Sequence, residues 1–160
     1  MDLNIIAQEP IFKLFVSAII GLIIGFEREI KNRSAGLRTH ILVSTGACLI
    51  MLISSDAFKD ADPTRIAAQV VSGIGFLGAG SILQGNNSIT GLTTAANIWV
   101  CGAIGLAVGA GMYKEAISTA LIILIVLTFL NSFIKGKILK KSVQVKEREV
   151  IETEEIKEDK

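Results

Sequence analysis

The run LIILIVLTFL, residues 121–130, decides the fold class: it is uncharged, free of glycine and almost wholly aliphatic. Extended to its polar boundaries it reaches from Met112 to Ile134, and about 20 apolar residues suffice for a helix to cross the hydrocarbon layer. Four more apolar runs lie upstream, Pro10–Phe26, Leu37–Ser54, Thr64–Leu83 and Gly91–Ala110. Composition agrees: of 160 residues 51% are hydrophobic and 19% charged, with a mean hydropathy of +0.57. Soluble domains carry nearer a quarter charged residues. The sequence therefore predicts an all-α polytopic bundle of five transmembrane helices over residues 1–134, followed by a charged cytoplasmic tail over residues 135–160.

The connections carry the orientation. Arg28, Lys31, Arg33 and Arg38 cluster at the first connection, and Lys135, Lys137, Lys140 and Lys141 follow the fifth span. The Ser55–Pro63 connection is acidic, with Asp56, Asp60 and Asp62 against Lys59 and the following Arg65. Under the positive-inside rule the first connection and the tail are cytoplasmic and the N-terminus lies outside, which requires an odd number of spans. Four spans with a re-entrant segment over residues 73–80 would leave the lysine cluster outside. The first span is not read as a cleaved signal peptide, because Glu27-Arg28-Glu29 close it without a small-residue cleavage site.

Several classes are excluded. A net charge of +1 speaks against nucleic-acid binding, which needs a basic stripe. Membrane lipid is the expected contact instead, with the lysine cluster at anionic headgroups. Cys48 and Cys101 both lie in apolar runs, so neither reads as half of a disulfide framework or as a thiolate metal ligand. From Lys146 onward acids and bases mix with few apolar residues, the signature of a frayed or disordered end.

Small residues predict how the spans pack, since they let helix backbones approach in lipid. Ser17, Gly21 and Gly25 recur every four residues in the first span. Asn97, Cys101, Gly105 and Gly109 do the same in the fourth. The third is densest, with Gly73, Gly75, Gly78 and Gly80, which puts the third and fourth spans at the centre and the glycine-free fifth against lipid. Glycine faces of this kind also allow a homo-oligomer. Gly73-Ile-Gly75-Phe-Leu-Gly78 spells the dinucleotide-binding pattern, but that pattern needs a strand before it and a βαβ unit around it. A shift of 55 residues lays Ser17 on Ser72, Gly25 on Gly80 and Thr39 on Thr94, a faint parallel repeat of two helical hairpins.

Ionisable and polar groups inside spans are costly, and so are functional candidates. Glu27 and Arg38 read as a charged cluster at the cytoplasmic mouth, Glu27 pairing with Arg38 or Arg28. Arg28, Lys31 and Arg33 have a simpler reading as snorkelling, topogenic cations. Asp62 before Pro63 is a good helix start, and a functional role for it stays open; Arg65, one turn on, could pair with it. Gln69 lies deeper and is expected to bond a neighbouring helix or line a polar path. Thr93, Thr94 and Asn97 give the fourth span its polar positions, Asn97 as interhelical glue or route. Trp99 and Cys101 read as packing groups. Ser81 and the lone His40 raise an intramembrane protease, for which no third orienting group is evident.

The segments GFERE (25–29), AGLRTH (35–40), DPTRIAAQVVSGIGFLGAG (62–80) and GLTTAANIW (91–99) closely resemble, in this order and spacing, the membrane domain of the MgtC/SapB family of bacterial inner-membrane proteins. The likeness covers about Phe15 to Leu130. It implies a multi-pass inner-membrane protein tied to growth in low magnesium and, in pathogens, to virulence inside host cells. Magnesium transport is the activity the family's label implies. Longer relatives carry a soluble C-terminal domain, whereas about 26 residues follow Ile134 in this chain. No cofactor is implied. Mg²⁺ prefers an octahedron of hard oxygens, yet Glu27 and Asp62 are expected roughly 30 Å apart, across the bilayer, and no acidic pair marks the midplane. Two main readings result: a transporter or channel-like protein for a cation or small solute, and a non-transporting regulator that binds an ion pump or ATPase through its glycine-rich faces. An enzyme is the third and weakest reading.

Overall fold

A computed structural model of the chain describes residues 9–56, 62–84 and 89–130. These are helical apart from one short ladder: α1 Pro10–Ile30, α2 Leu37–Asp56, α3 Pro63–Ala79, α4 Leu92–Gly109 and α5 Tyr113–Ile125, with a π-helical turn at Val126–Leu130. Between α3 and α4 the two-residue strands β1 (Leu83–Gln84) and β2 (Ile89–Thr90) pair antiparallel, Leu83 opposite Thr90. The chain divides into two units, Met1–Leu124 and Ile125–Lys160, and the helix bundle described below belongs to the first. The lysine cluster at 135–141, the rest of the tail, the end of the fifth apolar run and residues 57–61 of the acidic connection lie outside the described residues.

Local sequence sets the helix ends. Pro10 and Pro63 open α1 and α3, where a missing N–H costs nothing. Two helices close with the same left-handed motif. In α1 the Arg33 N–H donates to the Arg28 carbonyl and the Asn32 N–H to Glu29, with Asn32 at φ 50°. In α4 the Met112 N–H donates to Ala107 and the Gly111 N–H to Val108, with Gly111 at φ 81°. Both use a residue that tolerates positive φ to satisfy the last carbonyls. α3 ends at Ala79, short of the expected Leu83, because its glycine-rich end gives way to a turn. There the Ser81 hydroxyl donates to the Gly78 carbonyl at 2.7 Å.

Three of the helical stretches, Pro10–Ile30, Leu37–Ser55 and Leu92–Gly109, are long and apolar enough to cross a membrane. Large apolar side chains face outward, Phe15 at 65% exposure and Phe76 at 81%, while serines, a histidine and an arginine are buried. This inverted pattern suits a lipid solvent. Trp99, expected to pack, is instead exposed with them. α5 behaves as expected, turning Ala116 and Ala120 inward and Ile117, Leu121 and Ile122 outward.

The bundle is built on α1, α2 and α4, and glycines set its spacing. A Cβ on Gly21 would stand 2.6 Å from the His40 carbonyl oxygen, and one on Gly25 would stand 2.7 Å from the Leu37 Cα. A Cβ on Gly105 would collide with the Ser44 carbonyl, and one on Gly109 would lie 2.8 Å from the Cys48 carbonyl. α2 thus takes the close approach of both α1 and α4, with Ile20, Ile24, Cys48, Leu52, Ile104 and Val108 packed among the three. α3 rests on α2 and α4 through Val70 and Ile74, and a Cβ on its Gly78 would stand 3.1 Å from the Ala95 carbonyl oxygen.

This corrects the expectation that α3 is central. Around Gly73 and Gly75 an added Cβ meets nothing within 4 Å, and at Gly80 it meets only carbonyls of α3's own last turn. Among the described residues only Gly78 of this glycine-rich stretch serves a close contact with another helix. Nor do the two hairpins superpose in environment: Ser17 is buried and Ser72 exposed. Gly21 meets the His40 backbone, but His40's counterpart Ala95 meets Gly78 rather than residue 76.

Alanine is favoured over glycine in a helix by about 1 kcal/mol, so opposite signs separate packing from propensity. We expect Gly105→Ala to lower the melting temperature in detergent, by the roughly 1–3 kcal/mol typical of overpacking. Gly73→Ala should leave it unchanged or raise it, as read by size-exclusion after heating.

Candidate functional site

Residues spaced three or four apart share a helix face, and on the inner faces of α1, α2 and α4 that spacing selects polar groups. α1 contributes Lys13, Ser17 and Arg28, α2 contributes His40 and Ser44, and α4 contributes Thr94, Asn97 and Cys101; all are buried. Because α1 runs antiparallel to the other two, these groups meet in a single polar seam. From Lys13 to Arg28 it spans fifteen residues of α1, roughly 22 Å at 1.5 Å per residue, most of a hydrocarbon layer about 30 Å thick.

At one end the Lys13 ammonium donates to the Gly109 carbonyl at 3.2 Å. That oxygen is one of the last-turn acceptors of α4 that the helix itself leaves unbonded, and the negative end of the helix dipole favours a cation there. One turn deeper the Ser44 hydroxyl donates to the Ser17 carbonyl at 3.0 Å, so the Ser17 hydroxyl is the donor in the 2.7 Å Ser17–Ser44 contact. The Cys101 thiol donates to the His40 carbonyl at 3.4 Å. The His40 Nδ1 lies 2.8 Å from the Gly36 carbonyl, which can only accept, so the proton sits on Nδ1. Nε2 is then the acceptor for the Asn97 side-chain amide at 2.8 Å. At the far end the Arg28 Nη2 donates to the Thr94 hydroxyl at 3.0 Å.

The seam gathers part of what the sequence singled out. Arg28, Thr94 and Asn97 are inside it, with His40. Arg28, read as a snorkelling cation, is instead 1% exposed: it follows Ser17, Gly21 and Gly25 onto the face that meets α2 and α4. Glu27 is half-buried and pairs with Lys31 one turn on, N to O 2.5 Å, not with Arg38 or Arg28. Arg38 is exposed on the outer side of α2's first turn. Thr93 is exposed, one position off the face that carries Thr94. Gln69, expected to reach a neighbouring helix, lies on the outward side of α3, and Arg65 is exposed without an ion pair to Asp62. Asp62 caps α3, its carboxylate accepting from the Thr64 N–H at 2.9 Å and the Thr64 hydroxyl at 2.6 Å. Those two bonds hold its pKa below the usual carboxylate range. Ser81 and His40 are each bonded to other groups, as given above.

The sequence reading missed Lys13 and Ser44 altogether and took Ser17 only for a small spacer. A signal was present: Lys13, Ser17, Gly21 and Gly25 form one four-residue series, so the face that packs also carries the lysine. Among the described residues no group of three or more His, Cys, Asp or Glu is placed to hold a metal ion.

Two outcomes follow from this geometry. A double-mutant cycle with Ser17→Ala and Ser44→Ala should return a coupling of about 0.6–1.7 kcal/mol, the range for interhelical hydrogen bonds in lipid; independent effects would deny the bond. The Asp62 cap, with a folded-state pKa below its unfolded value, contributes fully above the ordinary carboxylate pKa and loses its contribution as pH falls through the folded one. Wild type should therefore melt above Asp62→Ala at neutral pH, and the gap should close on acidification below about pH 4.

Comparison with known proteins places this arrangement. YhiD of Escherichia coli, whose name marks it as a candidate magnesium transporter, is 48% identical over 127 residues, covering 74% of this chain and 59% of its own. Protein SapB of Bacillus subtilis is 44% identical over 134 residues, 78% of this chain and 58% of its own. Protein MgtC of Salmonella typhimurium is 46% identical over 114 residues, 71% of this chain and 49% of its own. The chain thus spans about half to three-fifths of the length of these relatives. No solved structure matches. The MgtC family model matches residues 14–135, which takes in the whole seam but for Lys13, and the chain belongs to the MgtC family.

Proposed function

We propose that this chain is a five-span bacterial inner-membrane protein serving magnesium homeostasis, with its N-terminus outside and the Arg28 end of the bundle at the cytoplasm. The basic first connection and the lysines after the fifth span support those sides. Its working part is the polar seam, a route for a small ion or solute between α1 and the α2–α4 pair. The observation that carries this reading is the continuity of buried hydrogen-bonding groups from Lys13 to Arg28. Buried polar groups in lipid cost several kcal/mol where unsatisfied, so a chain that strings them through most of the layer's thickness has a use for them. The name of YhiD points the same way.

The charges of the seam bear on its cargo. Lys13 and Arg28 stand at its two ends, and among the described residues no carboxylate pair lies between them. A bare divalent cation 10 Å from one of them would meet a repulsion of about 3 kcal/mol at an effective dielectric of 20. Within one copy, then, the seam favours monovalent or neutral cargo over Mg²⁺ itself. Purified protein in liposomes, loaded with indicators for Mg²⁺ and for monovalent cations beside an active control transporter, tests the reading. Flux with wild type that falls at least tenfold in Asn97→Leu is the expected outcome, and no flux of any cation or small solute would refute it.

A second reading draws on a separate observation. The outward face of α3 carries Gly73, with open space beside it, and the exposed Gln69 and Arg65, polar groups on the flank of an apolar bundle. A non-transporting regulator would use that face to bind another membrane protein such as an ion pump or ATPase. Photo-cross-linking from position 73 in native membranes should recover such a protein; recovery of none counts against this alternative.

A further inference from the structure

The Arg28 guanidinium is 1% exposed and makes one hydrogen bond, from Nη2 to the Thr94 hydroxyl. Its Nε is shut off from solvent and has no partner. A guanidinium carries five N–H donors, and a buried donor left unmatched forfeits its hydration without a return, the more so on a charged group. Its neighbour Glu27 forms an ion pair with Lys31 and no hydrogen bond with Arg28, so it balances part of the charge and leaves the Nε donor unmatched.

The surroundings make the same point independently. Thr94 lies in the first turn of α4, an eighteen-residue helix. The N-cap of α4 is Gly91, which has no side chain to accept from the first-turn N–H groups. α2 begins at the same end of the bundle, and there the matching position is filled: the Glu29 carboxylate accepts from the Leu37 N–H at 2.9 Å. Among the described residues one helix start has its anion and the other has none. The positive end of the α4 dipole and the partly matched Arg28 meet at the open one. Glu27 and Glu29 at this end are offset by Lys31 and Arg33, so Arg28 leaves the balance around the site positive.

The geometry points to a site for a phosphate-type oxyanion at the N-terminus of α4, held by Arg28, the Thr94 hydroxyl and the first-turn N–H groups of α4. Arginine supplies the planar fork that matches such oxygens, and helix starts bind them through backbone N–H groups. The same chemistry is carried by the phosphodiester of a lipid headgroup and by free inorganic phosphate. The site does not depend on whether the seam conducts.

The test uses the full chain, delipidated in a maltoside detergent that contains no phosphate. Two probes are titrated separately, inorganic phosphate and phosphatidylglycerol, with binding read by native mass spectrometry and by the rise in melting temperature. Wild type should take up one molecule of at least one probe. Arg28→Met, which fills the same buried space without the fork, should weaken that binding by about tenfold or more, the equivalent of one charge-assisted hydrogen bond. Arg28→Lys, which keeps the charge, should fall between them, and Thr94→Val should weaken binding with the fold intact. Arg33→Gln should stay within twofold of wild type, about the spread of surface charge effects. Uptake of the lipid alone identifies a headgroup site, and uptake of phosphate alone a soluble-anion site. No uptake of either probe, or equal uptake by wild type, Arg28→Met and Thr94→Val, overturns the proposal.

Discussion

The close approach of α1 and α4 to the backbone of α2 governs what the rest of the bundle can do. Gly21, Gly25, Gly105 and Gly109 allow carbonyls and Cα atoms where any side chain would hold the helices apart. In lipid there is no hydrophobic force to press helices together, so contact of this kind and hydrogen bonds between helices must supply the association. The two are coupled. The Ser17–Ser44 and His40–Asn97 bonds, at 2.7 and 2.8 Å, exist only because the glycines bring short polar side chains within reach. The bonds in turn satisfy groups that would be costly to leave bare in an apolar medium.

Electrostatics make the two ends of the seam unlike. Lys13 sits where α4 ends, against a carbonyl and the negative pole of the helix. Arg28 sits where α4 begins, against the positive pole, with one hydroxyl for company. One buried cation is therefore matched by the backbone, and the other is opposed by it. Between them the groups are neutral, with the His40 proton on Nδ1 and Asn97 turned to donate. A seam of this description resists a bare divalent ion more strongly than it resists a neutral or singly charged solute.

The two faces of the bundle divide the functional readings. Polar groups turned inward support movement of a solute along α1, α2 and α4. The outward side of α3, where glycines face open space and Gln69 is exposed, supports contact with another membrane protein. The small residues of α3 and those of α4 look alike in the sequence, yet they differ in this respect: those of α4 are consumed by packing within the chain, whereas most of those of α3 are not.

Legible in the sequence were the helices and how α3 starts: apolar runs of span length, and Asp62 as a cap before Pro63 at N1. It also placed Gly21, Gly25, Gly105 and Gly109 on contact faces, because small residues every four positions make a stripe whatever lies opposite. Which stripe meets protein and which meets lipid was decided only by the tertiary structure. Gly73 and Gly75 were open, Gln69 was outside, Thr94 rather than Thr93 was inside, and Lys13 and Arg28 were buried. The physical reason is that lipid and the bundle interior are both apolar. Periodicity tells which residues share a side of a helix, but hydropathy cannot tell which apolar medium that side will face.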